Sequence, residues 1–180
     1  MEAAAEIDEL GWHTRAERTM SPNFDDRPVG IAVDLIVIHA ISLPPEQFGG
    51  DGVEQLFLNR LDPCEHPYYR EIEQLRVSAH FFIRRDGRLM QFVSCHHRAW
   101  HAGISRWKGR DRCNDFSIGI ELEGYDSCAF DDAQYLILDP LLLCLRAAFP
   151  IVDVVGHSDI APGRKTDPGP CFEWNRLTKR

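Results

Sequence analysis

Two histidines in this sequence close apolar, β-branched runs: His39 ends IAVDLIVIH and His157 ends IVDVVGH. A side chain at the end of a strand has a rigid base behind it and an open surface before it, which suits a metal ligand or a catalytic group. Asp167 follows His157 by ten residues, in GHSDIAPGRKTDPGP. That stretch is rich in Pro and Gly yet too short to wander, so it can return the carboxylate to the side of His157. Two neutral imidazoles and one carboxylate, with a fourth position left for solvent, form a catalytic zinc arrangement. Taken singly, each histidine is more simply a polar residue at a strand end. The three together point to an ion that activates water.

Such groups need a scaffold that brings distant positions together. Positions 33–38 form a β-branched run that reads as a buried strand ending at His39. SLPPEQFGGDG follows as a loop, then a short helix over 53–59, then a second loop through LDPCEHPYY towards His80. HFFIRRDGRLMQFV reads as a β-hairpin about Asp86-Gly87. SIGIELEG is a further strand, whose alternation places Ile118, Ile120 and Leu122 on one face and Gly119, Glu121 and Glu123 on the other. Positions 131–149 are helical in pattern, with Asp131 and Asp132 suiting the positive end of the helix dipole. Pro140 is expected to kink that helix or to start a second segment. IVDVVGH reads as a short strand and CFEWNRLTK as a short C-terminal helix. Residues 1–30 read as an irregular lead-in packed on 31–180, the two making one structural domain. This order of strands and helices predicts an α/β fold with helices packed on a sheet.

The chain has 180 residues, the size of a single domain, and folding at that length buries roughly 70% of the unfolded surface. A net charge of −8 argues against nucleic acid as the main partner, because neutralising phosphates needs a basic face. The local run of Arg106, Lys108, Arg110 and Arg112 can still serve an anionic ligand, although a solvated loop is the simpler reading. No stretch approaches the roughly 20 apolar residues that span a bilayer; positions 135–149 come nearest and are broken by Asp139, Pro140 and Arg146. The acidic N-terminus lacks a signal-peptide core, so a cytoplasmic location is expected. There the six scattered cysteines are expected as free thiols. Cys95-His96-His97 looks metal-like, but adjacent residues seldom ligate one ion well, and His80 reads as a packed histidine.

VIHAISLPPEQFGG, LRVSAHFFIRRDG, RAWHAG, RCNDFSIGIELEG, DAQY and GHSDIAPGRKTDPGP together resemble the zinc-dependent N-acetylmuramoyl-L-alanine amidases, a family that includes a phage lysozyme and the peptidoglycan recognition proteins. The resemblance runs from about Gly11 to the C-terminal segment and points to the branch that acts in cell-wall recycling. It implies a mixed central β-sheet flanked by helices, as in the peptidoglycan recognition proteins. It implies one zinc ion per chain on His39, His157 and Asp167, the last standing where many relatives outside the recycling branch have Cys. Glu121 is implied as the catalytic glutamate and Lys165 as the lysine that stabilises the transition state. Arg76 and Arg112 are implied for substrate carboxylates, with Asn114, Trp100 and His101 lining the groove. The implied partner is a small anhydromuropeptide, with no nucleic acid or membrane, and the implied state is a monomer. By residue type alone, Glu121 reads as a solvent-facing strand residue and Lys165 as a solvated loop lysine. Amide hydrolysis can use both, a carboxylate to move the water proton and an ammonium to meet charge on the carbonyl oxygen. Ala40 departs from the family string, which carries Asn after the first ligand, and Asp139-Pro140 interrupts a helix that is more regular in the relatives.

Overall fold

A computed structural model describes residues 6–178, so residues 1–5 of the lead-in and the final two residues of the tail lie outside the described residues. The strands are β1 (Glu17–Arg18), β2 (Phe24–Asp26), β3 (Leu35–Ile41), β4 (Phe81–Ile83), β5 (Leu89–Gln91), β6 (His97–Ala99), β7 (Arg106–Trp107), β8 (Arg110–Asp111), β9 (Ser117–Glu123) and β10 (Asp153–Gly156). The helices are α1 (Gly52–Phe57), α2 (Pro67–Ile72), α3 (Asp132–Ala148) and α4 (His157–Ile160). Six strands make the central sheet in the order β1-β5-β4-β9-β3-β10. Only β4 and β5 pair antiparallel within it, so the sheet is mixed, as the α/β reading requires.

The centre of the sheet is β9, which pairs parallel to β4 on one side and to β3 on the other. Every residue of β9 is buried, because both faces of this strand are covered. Period-2 alternation sorts the side chains. Ile36 and Ile38 of β3 and Ile118, Ile120 and Leu122 of β9 pack with Leu138, Leu141 and Leu145 of α3. The opposite face carries Leu35 and Val37 with Val155 and Phe116 at one end, and Phe82 with Leu56 and Phe57 of α1 at the other. His39 and Glu121 belong to that second face, and they are register partners across β3 and β9. β10 runs parallel to β3 with Gly156 opposite Ile38, so the next residue, His157, comes level with His39.

Several local expectations need adjusting. β3 continues two residues past His39, to Ile41. The loop expected before His80 contains α2: the His66 ring accepts from the Tyr68 N–H at 3.2 Å, and Pro67 opens the helix where a missing N–H costs nothing. α3 is one continuous helix with Pro140 inside it, neither broken nor restarted. Pro140 denies a donor to the carbonyl of Leu136, but Leu136 lies on the exposed face, where water can serve instead. Asp131 and Gln134 form a reciprocal cap at the start of α3, and the C-terminal segment makes only a 3₁₀ turn at Trp174–Arg176. The hairpin closes through Arg85, Asp86 and Gly87, with the Gly87 N–H donating to Arg84 O at 2.9 Å and Gly87 at φ 85°. This is the three-residue turn that ends on a left-handed glycine.

The lead-in supplies β1, at the edge of the sheet, and β2, which pairs antiparallel with β6. Gln91 ties it down by accepting from the His13 N–H and donating to Gly11 O. The basic run becomes the small β7–β8 hairpin, where Lys108 pairs with Asp153 and Arg110 with Asp34. The cysteines are free thiols. Among the described residues no helix is long and apolar enough to cross a membrane. Because Leu138 is fully buried between α3 and the sheet, Leu138→Ala should cost about 2–5 kcal/mol of stability. Urea unfolding of the variant beside the wild type checks this, and a loss below about 1 kcal/mol would show that α3 is not anchored through this layer.

Candidate active site

The face of the sheet away from α3 opens into a cavity of about 430 Å³. His39, Glu121, His157, Lys165 and Asp167 all line it, together with Trp100, His101 and Ala40. An apolar wall faces them, made by Leu43, Pro45, Tyr68, Ile72, Leu75 and Val77. Each polar group arrives on a different element. His39 comes from β3, Glu121 from β9 and His157 from the first residue of α4. Lys165 and Asp167 come from the loop beyond α4, which is pinned where the Ser158 N–H donates to Asp167 O at 3.0 Å.

Three buried or half-buried atoms form a near-equilateral triangle. His39 Nδ1 is 2.9 Å from His157 Nδ1 and 3.2 Å from Asp167 Oδ2, and His157 Nδ1 is 3.1 Å from that same oxygen. Among the described residues this is the group of donors that can share one ion. Hydrogen-bond chemistry supports a cation there. His157 Nε2 lies 3.1 Å from the carbonyl oxygen of Ala102, which only accepts, so Nε2 carries the ring proton. In the neutral ring His157 Nδ1 then presents a lone pair to a carboxylate oxygen, an arrangement that repels unless a proton or a metal cation sits between. Tetrahedral zinc with Zn–N near 2.05 Å sets its ligand atoms about 3.3 Å apart, close to these three edges. The residues fit the ion.

Titration follows from burial and neighbours. Burial pushes the His39 imidazole down to about 4, against the opposing hydrogen bond to Asp167. Burial raises the Asp167 carboxyl, but the His157 and His39 rings beside it outweigh that and hold it well below the usual carboxylate range. Glu121 is the reverse case. Burial first, and then the charge of Asp167, push its carboxyl well above the ordinary value, with only Lys165 opposing. Glu121 Oε2 has no hydrogen-bond partner among the described residues. A desolvated carboxyl with Oε2 free and its proton held more tightly than usual is placed to take and return a proton. The solvent-facing reading of Glu121 is overturned because β9 lies at the centre of a sheet covered on both faces.

Trp100 lines the cavity with its indole Nε1 donating to Asp25 Oδ1 at 3.2 Å, and Arg98 grips both oxygens of Asp25. His101 touches the cavity, but both its nitrogens are engaged, with His39 Nε2 and Ser117 Oγ. Three other residues from the sequence do not line it. Asn114 Oδ1 accepts from the backbone N–H groups of His101 and Ala102, so it shapes the wall from behind. Arg76 is exposed and donates to the carbonyls of Glu73 and Leu75. Arg112 is exposed, in the left-handed region at φ 61°, and faces Asp115 at 3.3 Å.

Sequence reasoning passed over several supports. Arg164 donates to Ala102 O and Ile104 O, fixing the carbonyl that orients His157. Arg27, from the lead-in, reaches inward to Cys95 O, Asn114 O and Ser117 O and to the ring of His80; burial lowers its guanidinium to about 10. Nothing in its sequence context marks it. Gly119 did carry a signal, since a glycine inside a strand often marks a close approach. A Cβ there would lie 2.4 Å from His101 Cγ.

Residues 26–170 match the family model described as N-acetylmuramoyl-L-alanine amidase. The chain is 52% identical over 171 residues to the 1,6-anhydro-N-acetylmuramyl-L-alanine amidase AmpD of Escherichia coli, covering 94% of this chain and 93% of that protein. Its structure is similar to a crystal structure of an AmpD selenomethionine derivative, with TM-score 0.92, 51% identity and coverage of 94% and 96%. It is also similar to Escherichia coli AmiD in complex with anhydro-N-acetylmuramic acid-L-Ala-D-gamma-Glu-L-Lys, with TM-score 0.60, 30% identity and coverage of 95% and 63%. A peptidoglycan recognition protein of Apis mellifera, 15% identical with TM-score 0.62 and coverage of 92% and 99%, shares the fold.

The position of Glu121 has a consequence for stability. A carboxyl whose folded value lies above its unfolded one favours the fold at low pH. It loses that advantage as pH rises from the ordinary carboxylate range through the raised value. Glu121→Gln should therefore raise the Tm of the zinc-free protein at neutral pH, with the gap to wild type closing towards about pH 4. Thermal unfolding in the presence of a chelator checks this. A variant less stable than wild type at neutral pH would show that the carboxylate is favourably partnered in the fold.

Proposed function

The chain belongs to the N-acetylmuramoyl-L-alanine amidase family, and from that premise we propose that it is a zinc-dependent enzyme of cell-wall recycling that hydrolyses the amide joining the lactyl group of anhydro-N-acetylmuramic acid to the L-Ala of the stem peptide. The observation that carries the reading is the His39, His157 and Asp167 triangle opening into the same cavity as Glu121 and Lys165. The substrate follows from near-complete alignment with AmpD and from the anhydromuropeptide held by the structurally similar AmiD.

Two imidazoles and one carboxylate, all through nitrogen or oxygen, would hold the ion and leave room for solvent. When bound, zinc supplies Lewis acidity, lowering the pKa of a water to about 7 and polarising a carbonyl oxygen. The chain's own groups do the rest. Glu121, with one oxygen unpartnered, takes the proton of the attacking water and returns it to the nitrogen of the departing L-Ala. Lys165 brings an ammonium to the oxygen on which charge collects as the carbonyl carbon becomes tetrahedral. Trp100, its indole fixed by Asp25, offers a flat face to the sugar. Arg76, flanked by the cavity residues Leu75 and Val77, is the cation we assign to a stem-peptide carboxylate at the rim, and Arg112, outside the cavity lining, is the second cation we assign to the stem peptide. Asn114 and His101 contribute by shaping the wall. Ala40 lines the cavity without the amide of the family's Asn, which removes one polar contact available to substrate. The ligand triangle, Glu121 and Lys165 all come from one chain, and we assign the monomer as the active form.

Incubation of the zinc-loaded enzyme with purified anhydromuropeptide should release free stem peptide. Cleavage of intact muropeptide with the anhydro form untouched would reject the substrate assignment. Within that assay, Asp167→Ala should lose both bound zinc and activity. Glu121→Gln should keep its zinc while kcat falls by about 10²–10⁴, and Lys165→Ala should lose about 10²–10³. Zinc-replete Glu121→Gln with wild-type turnover would remove the proton carrier from the scheme.

A further inference from the structure

His101 lies directly behind His39, on the side of the ring away from the triangle. Its Nδ1 is 2.9 Å from His39 Nε2, and its Nε2 is 3.2 Å from Ser117 Oγ. The two rings meet edge to face with centroids 5.0 Å apart, and Gly119 leaves the room that His101 occupies. Neither hydrogen bond has a built-in direction, since a neutral imidazole offers one donor and one acceptor and a hydroxyl offers both.

The chain of three therefore has two self-consistent settings. In one, His39 Nε2–H donates to His101 Nδ1, His101 Nε2–H donates to Ser117 Oγ, and His39 Nδ1 shows its lone pair to the triangle. In the other, Ser117 donates to His101 Nε2, His101 Nδ1–H donates to His39 Nε2, and His39 Nδ1 carries a proton aimed at Asp167 Oδ2, 3.2 Å away. Only the first setting leaves His39 able to ligate. Passing from the second to the first releases the His39 Nδ1 proton to solvent and shifts the His101 Nδ1 proton to His39 Nε2. His101 Nε2 then takes up one proton from solvent, so each ring stays neutral. His157 has no such choice, because the Ala102 carbonyl fixes its tautomer.

We infer that His101, backed by Ser117, is a positioning residue that sets which nitrogen of His39 is free for the metal. This rests on the metal reading proposed above and adds to it a role for a residue that touches neither the ion nor the reacting atoms. Partners of this kind orient a ligand ring and raise its basicity.

The test uses the full chain, with zinc affinity from chelator competition and ring protonation from nitrogen-15 NMR. His101→Phe, similar in shape but unable to hydrogen-bond, should weaken zinc binding about 10–100-fold. His101→Gln, whose side-chain oxygen can accept from His39 Nε2–H, should recover most of that loss. The wild type provides an arm independent of any folding defect: zinc addition should leave the His101 proton on Nε2 and the His39 proton on Nε2. A zinc-loaded wild type with the proton on His101 Nδ1, or a folded His101→Phe that binds zinc as wild type does, overturns the inference alone. A wild type that binds no zinc overturns the metal reading, and the relay falls with it.

Discussion

Three electron-rich atoms crowd together at the end of β3, with no edge of the triangle longer than 3.2 Å. Lone pairs this close repel one another, and burial makes the repulsion stronger because no water screens it. A hydrogen bond can relieve one edge, through a proton on His39 Nδ1. With His157 neutral it cannot relieve the others, because the Ala102 carbonyl takes the one ring proton. A divalent cation relieves all three edges at once. Much of what surrounds the site makes sense as the means of holding these atoms in place for the proposed ion.

The parallel strands of the mixed sheet provide the first of those means. Because β3, β9 and β10 run side by side in the same direction, their ends deliver His39, Glu121 and His157 to one level and one face. The other face of the same strands buries its aliphatic residues under α3, which fixes the register. Behind the ligands stand His101, Ser117, Arg164 and the half-buried Arg27, each engaged in hydrogen bonds that hold the ligands or the strand ends around them. Glu121 shows the cost of this arrangement. A carboxyl kept dry, its Oε2 without a hydrogen-bond partner among the described residues, works against the fold when ionised, a common trade of stability for chemistry.

Much of this was legible in the residues. The β-branched run before His39 and the alternation of SIGIELEG announced the two central strands and their faces, because successive side chains of a strand point to opposite faces of the sheet. The ligand set was legible as a possibility from two histidines at strand ends and an aspartate in the loop ten residues after the second, and the ordered strings around them implied the same three residues. What stayed hidden depends on tertiary contacts. Pro140 predicts a break by local rules, and the helix persists because the carbonyl it orphans faces solvent. α2 was missed because its apolar residues are few and its start depends on a histidine ring acting as a cap. Glu121 looks solvent-facing in sequence because alternation separates the two faces of a strand without saying whether the second face is covered. Arg27 left no trace, since its partners are backbone carbonyls from three separate segments.

The account stands on one ion shared by three side chains. Anomalous diffraction at the zinc edge, from crystals of the zinc-loaded protein, locates that ion without reference to activity. The account predicts a single peak per chain within about 2.2 Å of His39 Nδ1, His157 Nδ1 and an Asp167 oxygen. A peak elsewhere in the chain, or one that omits any of the three, would contradict it.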